Sequence, residues 1–178
     1  DEPLLFAEDI YVTPQPEKAE KVIRTLIRRF GEDDYRMLCF ALSSEDEERA
    51  QAVYGTIADG LGRGRAAGSG KGGVGGCCGC GSLFQNLADC WVQKCYFLAR
   101  GASREFQHMQ GFTRFEELEN GVLFSRIGPK NDLLPFLMVH FADRFPQENF
   151  AVYDEPRNLF GLHPAGRKWY MLRGDQTQ

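Results

Sequence analysis

Hydrophobic positions along the chain recur at two spacings, which predict helices first and strands later. Between Glu17 and Phe30 an apolar side chain returns every three or four residues, as on one face of a helix. The same spacing predicts four more helices, from Asp33 or Asp34 to Leu42, from Ser43 or Ser44 to Gly60, from Leu83 to Met109 and from Asn131 or Asp132 to Phe145. The predicted apolar face of the longest helix consists of Phe84, Leu87, Trp91, Cys95, Leu98, Ala102 and Met109.

Segments with the pattern of strands are shorter and are separated by turn residues. Asn120-Gly121 stands between Thr113–Leu118 and Val122–Ile127 and predicts a hairpin with a type I′ turn. Further strands are predicted at Ile10–Thr13, Phe150–Tyr153, Leu159–Leu162 and Trp169–Leu172. Helices followed by strands predict an α+β fold, in which N-terminal helices and one long central helix pack on a small antiparallel sheet. The length of 178 residues fits a single domain, residues 1–178.

A glycine- and cysteine-rich tract at residues 62–82 interrupts this pattern. Its composition predicts a flexible insertion, because such a sequence cannot form a packed core. Cys77, Cys78 and Cys80 are candidate metal ligands, but their spacing matches neither zinc sites nor the common iron–sulfur patterns. Residues 71–77 resemble the phosphate-binding loop of the MinD/ParA-like ATPases, yet they lack its second lysine and its hydroxyl. We therefore expect no cofactor and no metal.

Charge is spread unevenly. The net charge of −4 divides into −7 for residues 1–60, with 14 acidic and 7 basic side chains, and +3 for residues 61–178, with 11 and 14. The positive C-terminal part permits nucleic-acid binding, and an ordinary mixed surface explains it equally. No apolar run is long enough to span a membrane and no signal peptide opens the chain, so we expect a cytoplasmic protein without membrane contact. Because the first residue is Asp1 rather than Met, we expect a processed or truncated N-terminus.

Charged residues also fall where helical periodicity predicts apolar ones. Glu105 is seven residues after Leu98 and lies about 20° from it around the helix, and Arg144 has the same relation to the apolar stripe of the last helix. His140 lies one turn before Arg144. A core-facing charge is costly unless it is paired, so an ion pair of Glu105 with Arg144 or Arg114 is one interpretation. The other is a functional pocket, in which Glu105 and His140 are candidate catalytic residues.

A second polar group surrounds the end of the longest helix. Arg104 and His108 are four residues apart on its more exposed side, and Arg114 follows the helix. The three predict an anion-binding edge, with an ordinary solvated face as the alternative. Phe112 belongs to an aromatic set that predicts core packing, although any exposed member could stack on a nucleobase. The set is Phe112, Phe115, Phe124, Phe136, Phe141 and Phe145.

Several segments, spread over nearly the whole chain apart from the glycine tract, follow the pattern of a known family. They are Pro3–Phe6 with Ile10, Pro16–Ala19, Asn86–Asp89, Arg104-Glu105, Gly111–Phe115, Glu117–Gly121, His140–Pro146, and Asp154 with Arg157. The elements G-F-x-R-F at 111–115 and H-F-x-x-R-F-P at 140–146 are the most specific of them. On these residues the chain resembles a bacterial family assigned to DNA metabolism or DNA repair, a domain of unknown function.

The resemblance implies a role in DNA repair by association. Members of that family are often encoded beside a radical-SAM protein assigned to DNA modification or repair, and in some proteins the same domain is fused to a uracil-DNA glycosylase-like domain. The family more usually has a histidine at the position of Gln107, so His108 is displaced from it by one residue. The family pattern falls on Arg104, Glu105, Gly111, Phe112, Arg114, Phe115, His140, Phe141, Arg144, Asp154 and Arg157.

Together these observations predict a non-catalytic, accessory module of DNA repair or DNA metabolism that binds DNA, or a repair enzyme on DNA. The candidate nucleic-acid-binding residues are Arg104, His108, Phe112, Arg114, His140, Arg144 and Arg157. The expected partners are DNA and, from the resemblance, a radical-SAM or glycosylase-like repair protein. Two alternatives stay open: an enzyme that acts on damaged nucleotides through Glu105 and His140, and a protein-interaction domain whose acidic first third docks a basic partner.

Overall fold

The computed structural model describes residues 13–66 and 82–174, and these form helices, a short 3₁₀ turn and one sheet. The helices are α1 (Pro16–Phe30), α2 (Glu32–Ser43), α3 (Arg49–Ala66), α4 (Cys90–Phe112) and α5 (Leu134–Arg144), and the 3₁₀ turn is Leu83–Gln85. The strands are β1 (Glu116–Glu117), β2 (Leu123–Ile127), β3 (Phe150–Asp154), β4 (Leu159–His163) and β5 (Tyr170–Arg173). The predicted α+β class is confirmed.

The five strands lie in one sheet in the order β1-β2-β3-β4-β5, and the sheet is mixed rather than antiparallel. Strands β2 and β3 run parallel, with Leu123 opposite Phe150 and Ile127 opposite Asp154. Their connection contains α5, so β2, α5 and β3 form a β-α-β unit. The other neighbouring strands pair antiparallel. The prediction of an antiparallel sheet is therefore wrong at this central pair.

The hairpin of β1 and β2 is present, but its turn is not of type I′. That turn needs a positive φ at both central residues. Gly121 has a φ of +75°, whereas Asn158 is the only non-glycine residue with a positive φ in the described part of the chain. The connection is instead a three-residue loop, closed by hydrogen bonds from Gly121 N to Leu118 O (2.8 Å) and from Leu118 N to Val122 O (2.9 Å).

Capping side chains explain where the central helix begins. Helix α4 starts at Cys90, not at the predicted Leu83, because the Asp89 carboxylate accepts the N–H groups of Trp91 (2.9 Å) and Val92 (3.1 Å). Residues 83–85 form a separate 3₁₀ turn, in which Phe84 N donates to the Ser82 hydroxyl (3.2 Å) and Leu83 N to Asp34 Oδ2 (2.6 Å). The start of α5 was predicted two or three residues early: its N-cap is Leu133, without a side-chain cap.

Helix α4 lies at the centre of the helical part and packs against α2 and α3. Its buried face is Val92, Cys95, Ala99, Ala102 and Phe106, which is rotated from the predicted stripe, since Trp91, Leu98 and Met109 are only half-buried. Helix α5 packs on β3 and β4 and touches α4, so it joins the helices to the sheet. The contact with β4 is so close that a Cβ at Gly161 would overlap the Met138 side chain.

Two predictions fall partly outside the described residues. The strand predicted at Ile10–Thr13 lies outside them except for Thr13, which belongs to no strand. Helix α3 continues to Ala66, beyond its predicted end at Gly60, so residues 62–66 of the predicted insertion are helical. The rest of the glycine tract, residues 67–81, lies outside the described part of the chain. None of the described helices is both long and apolar enough to cross a lipid bilayer.

Candidate functional site

A cleft of about 620 Å³ opens where β1 separates from β2 at the end of α4. We call it the α4–β2 cleft. Strand β1 pairs with β2 only at Phe124 and Leu123, so the chain leading into β1 diverges from the rest of β2 and leaves a gap beside it. The cleft is lined by His108, Met109, Phe112, Thr113, Arg114, Glu116, Phe124, Ser125, Arg126, Ile127 and Gly128.

An aromatic platform stands at this cleft. The rings of His108 and Phe112, four residues apart on α4, stack with centroids 4.3 Å apart and planes inclined by 27°. Phe112 is 66% exposed, although it was grouped with the aromatic residues expected in the core. A large apolar ring held this far out of the core offers a stacking surface to a flat ligand.

The charges around the cleft are mostly positive. Arg114 is exposed, and its Nη1 donates to Gly111 O at 3.2 Å, which holds its stem against the end of α4. Arg126 is also exposed and forms an ion pair with Glu155, the residue that follows β3. The hydrogen bond from Arg126 lowers the pKa of the Glu155 carboxyl. Glu116 is the one acidic side chain among the residues that line the cleft.

Two polar groups on β2 were missed by the sequence predictions. Ser125 is 2% exposed, lies on the cleft wall, and its hydroxyl has no hydrogen-bond partner among the described residues. A polar residue between Leu123 and Ile127, at an inward position of the strand, was the available sequence signal. The second group is the main-chain N–H and C=O of Arg126. The register between β2 and β3 directs both of them away from β3.

Helix α4 carries a different arrangement one turn earlier, where Glu105 binds the loop between β2 and α5, residues 128–133. Its carboxylate accepts Lys130 N (2.6 Å), Asn131 N (3.1 Å) and Asn131 Nδ2 (2.6 Å). The expected ion pair of Glu105 with Arg114 or Arg144 is therefore wrong, since main-chain and amide N–H groups take the place of a guanidinium. Glu105 also lines an acidic groove of about 840 Å³, separate from the α4–β2 cleft.

Arg157 also binds the loop between β2 and α5, through its carbonyl groups. Its guanidinium donates to Pro129 O (3.1 Å), to Lys130 O and to Asp154 Oδ2 (3.3 Å). Asp154 is fully buried, and burial raises the pKa of its carboxyl against the opposing effect of Arg157. We call Glu105, Asp154 and Arg157 the loop clamp.

The remaining predicted residues lie at separate places. Arg104 is exposed one turn before His108 and does not line the α4–β2 cleft. His140 is half-buried between the rings of Phe106 and Phe141, beside a third cleft. Arg144 is exposed on α5, with its guanidinium 5.8 Å from the centre of the Phe145 ring. Glu105 and His140 line different clefts, so the geometry does not bring the two candidate catalytic residues into one pocket.

Metal binding has no support from the described ranges 13–66 and 82–174, in which no three His, Cys, Asp or Glu side chains are arranged to hold an ion. The candidate ligands Cys77, Cys78 and Cys80 lie outside those ranges. Of the described cysteines, Cys95 is buried and burial raises the pKa of its thiol, so it is a packing residue rather than a nucleophile.

Fold and cleft together define an α+β domain that presents an aromatic and basic groove beside the edge of a mixed sheet. Residues 79–176, more than half of the chain, match the family model DUF4130, described as a domain of unknown function, and the chain belongs to this family. No curated protein and no solved structure matches the chain significantly.

Proposed function

We propose that this chain is an accessory DNA-binding domain that acts in DNA metabolism or repair. The observation that carries the proposal is the α4–β2 cleft, which brings together three of the residues predicted to bind nucleic acid, His108, Phe112 and Arg114. Arginine supplies fork-shaped donors for phosphate, and an exposed aromatic ring supplies a stacking surface for a base. These are the two contacts that a nucleic-acid strand requires.

The biological setting comes from the resemblance rather than from the cleft. The family that the chain resembles is bacterial, its members are often encoded beside a radical-SAM protein, and in some proteins the domain is fused to a uracil-DNA glycosylase-like domain. A domain that holds DNA, while a partner enzyme performs the chemistry, agrees with that setting and with the separation of Glu105 from His140. The partner is then a radical-SAM or glycosylase-like repair protein.

The other predicted residues divide into two groups under this proposal. Arg104 on α4 and Arg144 on α5 are exposed and free to extend a phosphate-binding surface beyond the cleft. His140 is half-buried between aromatic rings, and the guanidinium of Arg157 donates its hydrogen bonds within the loop clamp, so neither side chain is well placed to contact DNA. We therefore expect Arg114 to contribute more to DNA affinity than Arg157 does.

The test is a binding titration by fluorescence anisotropy on damaged and undamaged single- and double-stranded DNA at several salt concentrations. We expect log K to fall linearly with log salt, because bound phosphates release counterions. Arg114→Ala should make that slope shallower by about 1, and Arg144→Ala is compared beside it. Arg24→Ala on α1, which also removes an exposed guanidinium but far along the chain from the cleft, is the matched control. An affinity that does not change with salt would contradict the proposal.

The acidic groove supports a second candidate function, the docking of a basic protein partner. Glu45, Asp46, Glu47, Glu48 and Glu105 line it, and Phe97 at its side is 64% exposed. An acidic surface around an exposed aromatic ring suits a lysine- or arginine-rich segment. Pull-down of the repair partner with nuclease-treated protein tests this, and a capture that Phe97→Ala and Glu47→Lys leave unchanged would reject the groove as the contact.

A further inference from the structure

The strand register determines which way the main chain of Arg126 points. Leu123 N donates to Asn149 O (2.9 Å), and Ile127 O accepts from Glu155 N (3.0 Å), so both residues direct their main-chain groups toward β3. These groups alternate in direction along a strand, and Arg126, one residue away from Ile127, therefore directs its N–H and its C=O away from β3. Strand β1 lies on that side of β2, and the chain from Thr113 to Glu116 that leads into it lines the α4–β2 cleft together with Arg126, so the two groups are directed toward the cleft.

Strand β1 leaves this pair of groups uncovered. Its pairing with β2 ends at Glu116 and Phe124, two residues before Arg126. Within residues 13–66 and 82–174, neither main-chain group of Arg126 has a hydrogen-bond partner that would close the edge. The cleft thus contains one donor and one acceptor side by side, in fixed directions, on a strand that β3 holds in place.

The buried hydroxyl of Ser125 lies on the same wall and is without a hydrogen-bond partner among the described residues. A buried polar group without a partner costs free energy, and a native fold retains one chiefly where a ligand or water completes it. The Ser125 hydroxyl itself is buried behind the cleft wall, and the cavity of about 620 Å³ lies in the usual range for ligand pockets.

We propose that the α4–β2 cleft takes one unpaired nucleobase, stacked on the Phe112–His108 platform, with its hydrogen-bonding edge against the main-chain N–H and C=O of Arg126. The inference rests on the proposed DNA-binding function and adds to it the form of the ligand. A base carries a flat face and an edge with neighbouring donors and acceptors, and these are the two surfaces that the cleft offers. In a duplex both are occupied by stacking and pairing, so the ligand is a single strand or a base displaced from a helix.

Position 126 allows a matched pair of variants. Arg126→Pro deletes the N–H that faces the cleft, and proline is tolerated on strand edges where that N–H makes no ladder bond. Arg126→Ala keeps both main-chain groups and removes only the side chain, whose exposed pair with Glu155 contributes little to stability. Unfolding by urea, followed by circular dichroism, establishes that each variant is folded before it is used.

The measurement is the fluorescence of a single 2-aminopurine placed in an otherwise thymine single strand, because stacking on an aromatic ring quenches this base. Wild type should quench it, and Phe112→Ala should not. Arg126→Ala loses one cleft charge but keeps both main-chain groups, so it should bind more weakly at low salt and still quench. Arg126→Pro should bind roughly tenfold more weakly than Arg126→Ala, the effect of one hydrogen bond to the base edge. A fully paired duplex should compete poorly, whereas a duplex with one bulged base should compete well.

The outcomes separate this inference from the function on which it rests. Salt-dependent DNA binding without any quenching, or with equal competition by the paired duplex, overturns the unpaired base but leaves the DNA-binding function standing. Absence of DNA binding removes the function itself. DNA binding that is sensitive to Arg126→Pro but indifferent to Phe112→Ala would mean that no base stacks on the platform, and would also overturn the nucleobase.

Discussion

Helix α4 takes part in two polar arrangements, the loop clamp at Glu105 and the α4–β2 cleft at His108, which begin three residues apart. In the loop clamp the charged side chains meet partners inside the protein: Glu105 receives three N–H groups, and Arg157 reaches two carbonyls and a carboxylate. In the cleft, the ring of Phe112 and the guanidinium of Arg114 are exposed, and the buried hydroxyl of Ser125 has no partner among the described residues.

The difference teaches that charge at a semi-buried position does not by itself distinguish structure from function. Glu105 and Arg157 matched the same family pattern as Arg114, yet their hydrogen bonds end within the fold. What separates the two regions is whether the polar groups are already satisfied. Variants of the loop clamp should therefore reduce stability without changing DNA affinity, and variants of the cleft should do the opposite.

The largest effect is expected for Arg157→Ala. The substitution leaves the fully buried Asp154 carboxylate without its cationic partner, which should lower the free energy of unfolding by about 3 kcal/mol. Urea unfolding followed by circular dichroism measures it, and Arg157→Lys, which keeps the charge but not the fork, should fall in between. An unchanged stability combined with a loss of DNA binding would contradict the structural role and would mean that Arg157 contacts DNA.

Glu105→Ala should come next, with a loss of about 2 kcal/mol of unfolding free energy, because three N–H groups of the β2–α5 loop lose their charged acceptor. DNA affinity measured in the same preparation should stay within twofold of wild type. Glu105→Gln, which retains one acceptor oxygen, should recover part of the stability. Loss of a catalytic rate with full stability would instead support the enzyme alternative.

Phe112→Ala should act on binding alone. Removal of a stacking ring should reduce single-strand affinity by roughly tenfold to a hundredfold, while stability stays nearly constant because the ring is 66% exposed. Phe97→Ala is the matched control, since Phe97 lies on the same helix and is 64% exposed but lines the acidic groove. Equal losses in the two variants would mean that the cleft has no special role.

The smallest effect concerns pH and Asp154. Burial raises the pKa of this carboxyl in the native state, so the native protein binds more protons than the unfolded chain at mildly acid pH. Its contribution to stability is therefore fullest below its unfolded pKa of about 4 and is lost as the pH rises through the native value. Urea unfolding at several pH values should show that the free energy of unfolding of wild type, relative to that of Asp154→Asn, declines as the pH rises. An increase in this difference with rising pH would contradict a raised pKa of Asp154.

Much of the fold could be predicted because hydrophobic spacing determines elements locally. The bounds of α1, α2, β3 and β4 agree with the predictions within one or two residues. The parallel pairing of β2 and β3 was missed, although a strand, a helix and a strand in succession are the pattern of a β-α-β unit. The start of α4 was missed because Asp89, rather than periodicity, sets it.

The site could be predicted only in part, for a related reason. Sequence spacing identified His108 and Arg114 as neighbours around the end of α4, but it could not show that Phe112 stays outside the core. The partners of Glu105 are main-chain N–H groups, which every residue carries and which leave no mark in a sequence. The open edge at Arg126 depends likewise on where β1 stops pairing.

The family match begins at residue 79, but helix α4 packs against α2 and α3, which precede that residue. Phe40 of α2 stacks on Phe136 with ring centres 4.5 Å apart and also meets Phe106. An expression fragment trimmed to the matched region would lose α1 to α3 and expose the apolar face of its longest helix. Such an exposed apolar surface favours aggregation. Cloning boundaries for relatives of this chain should therefore start upstream of α2.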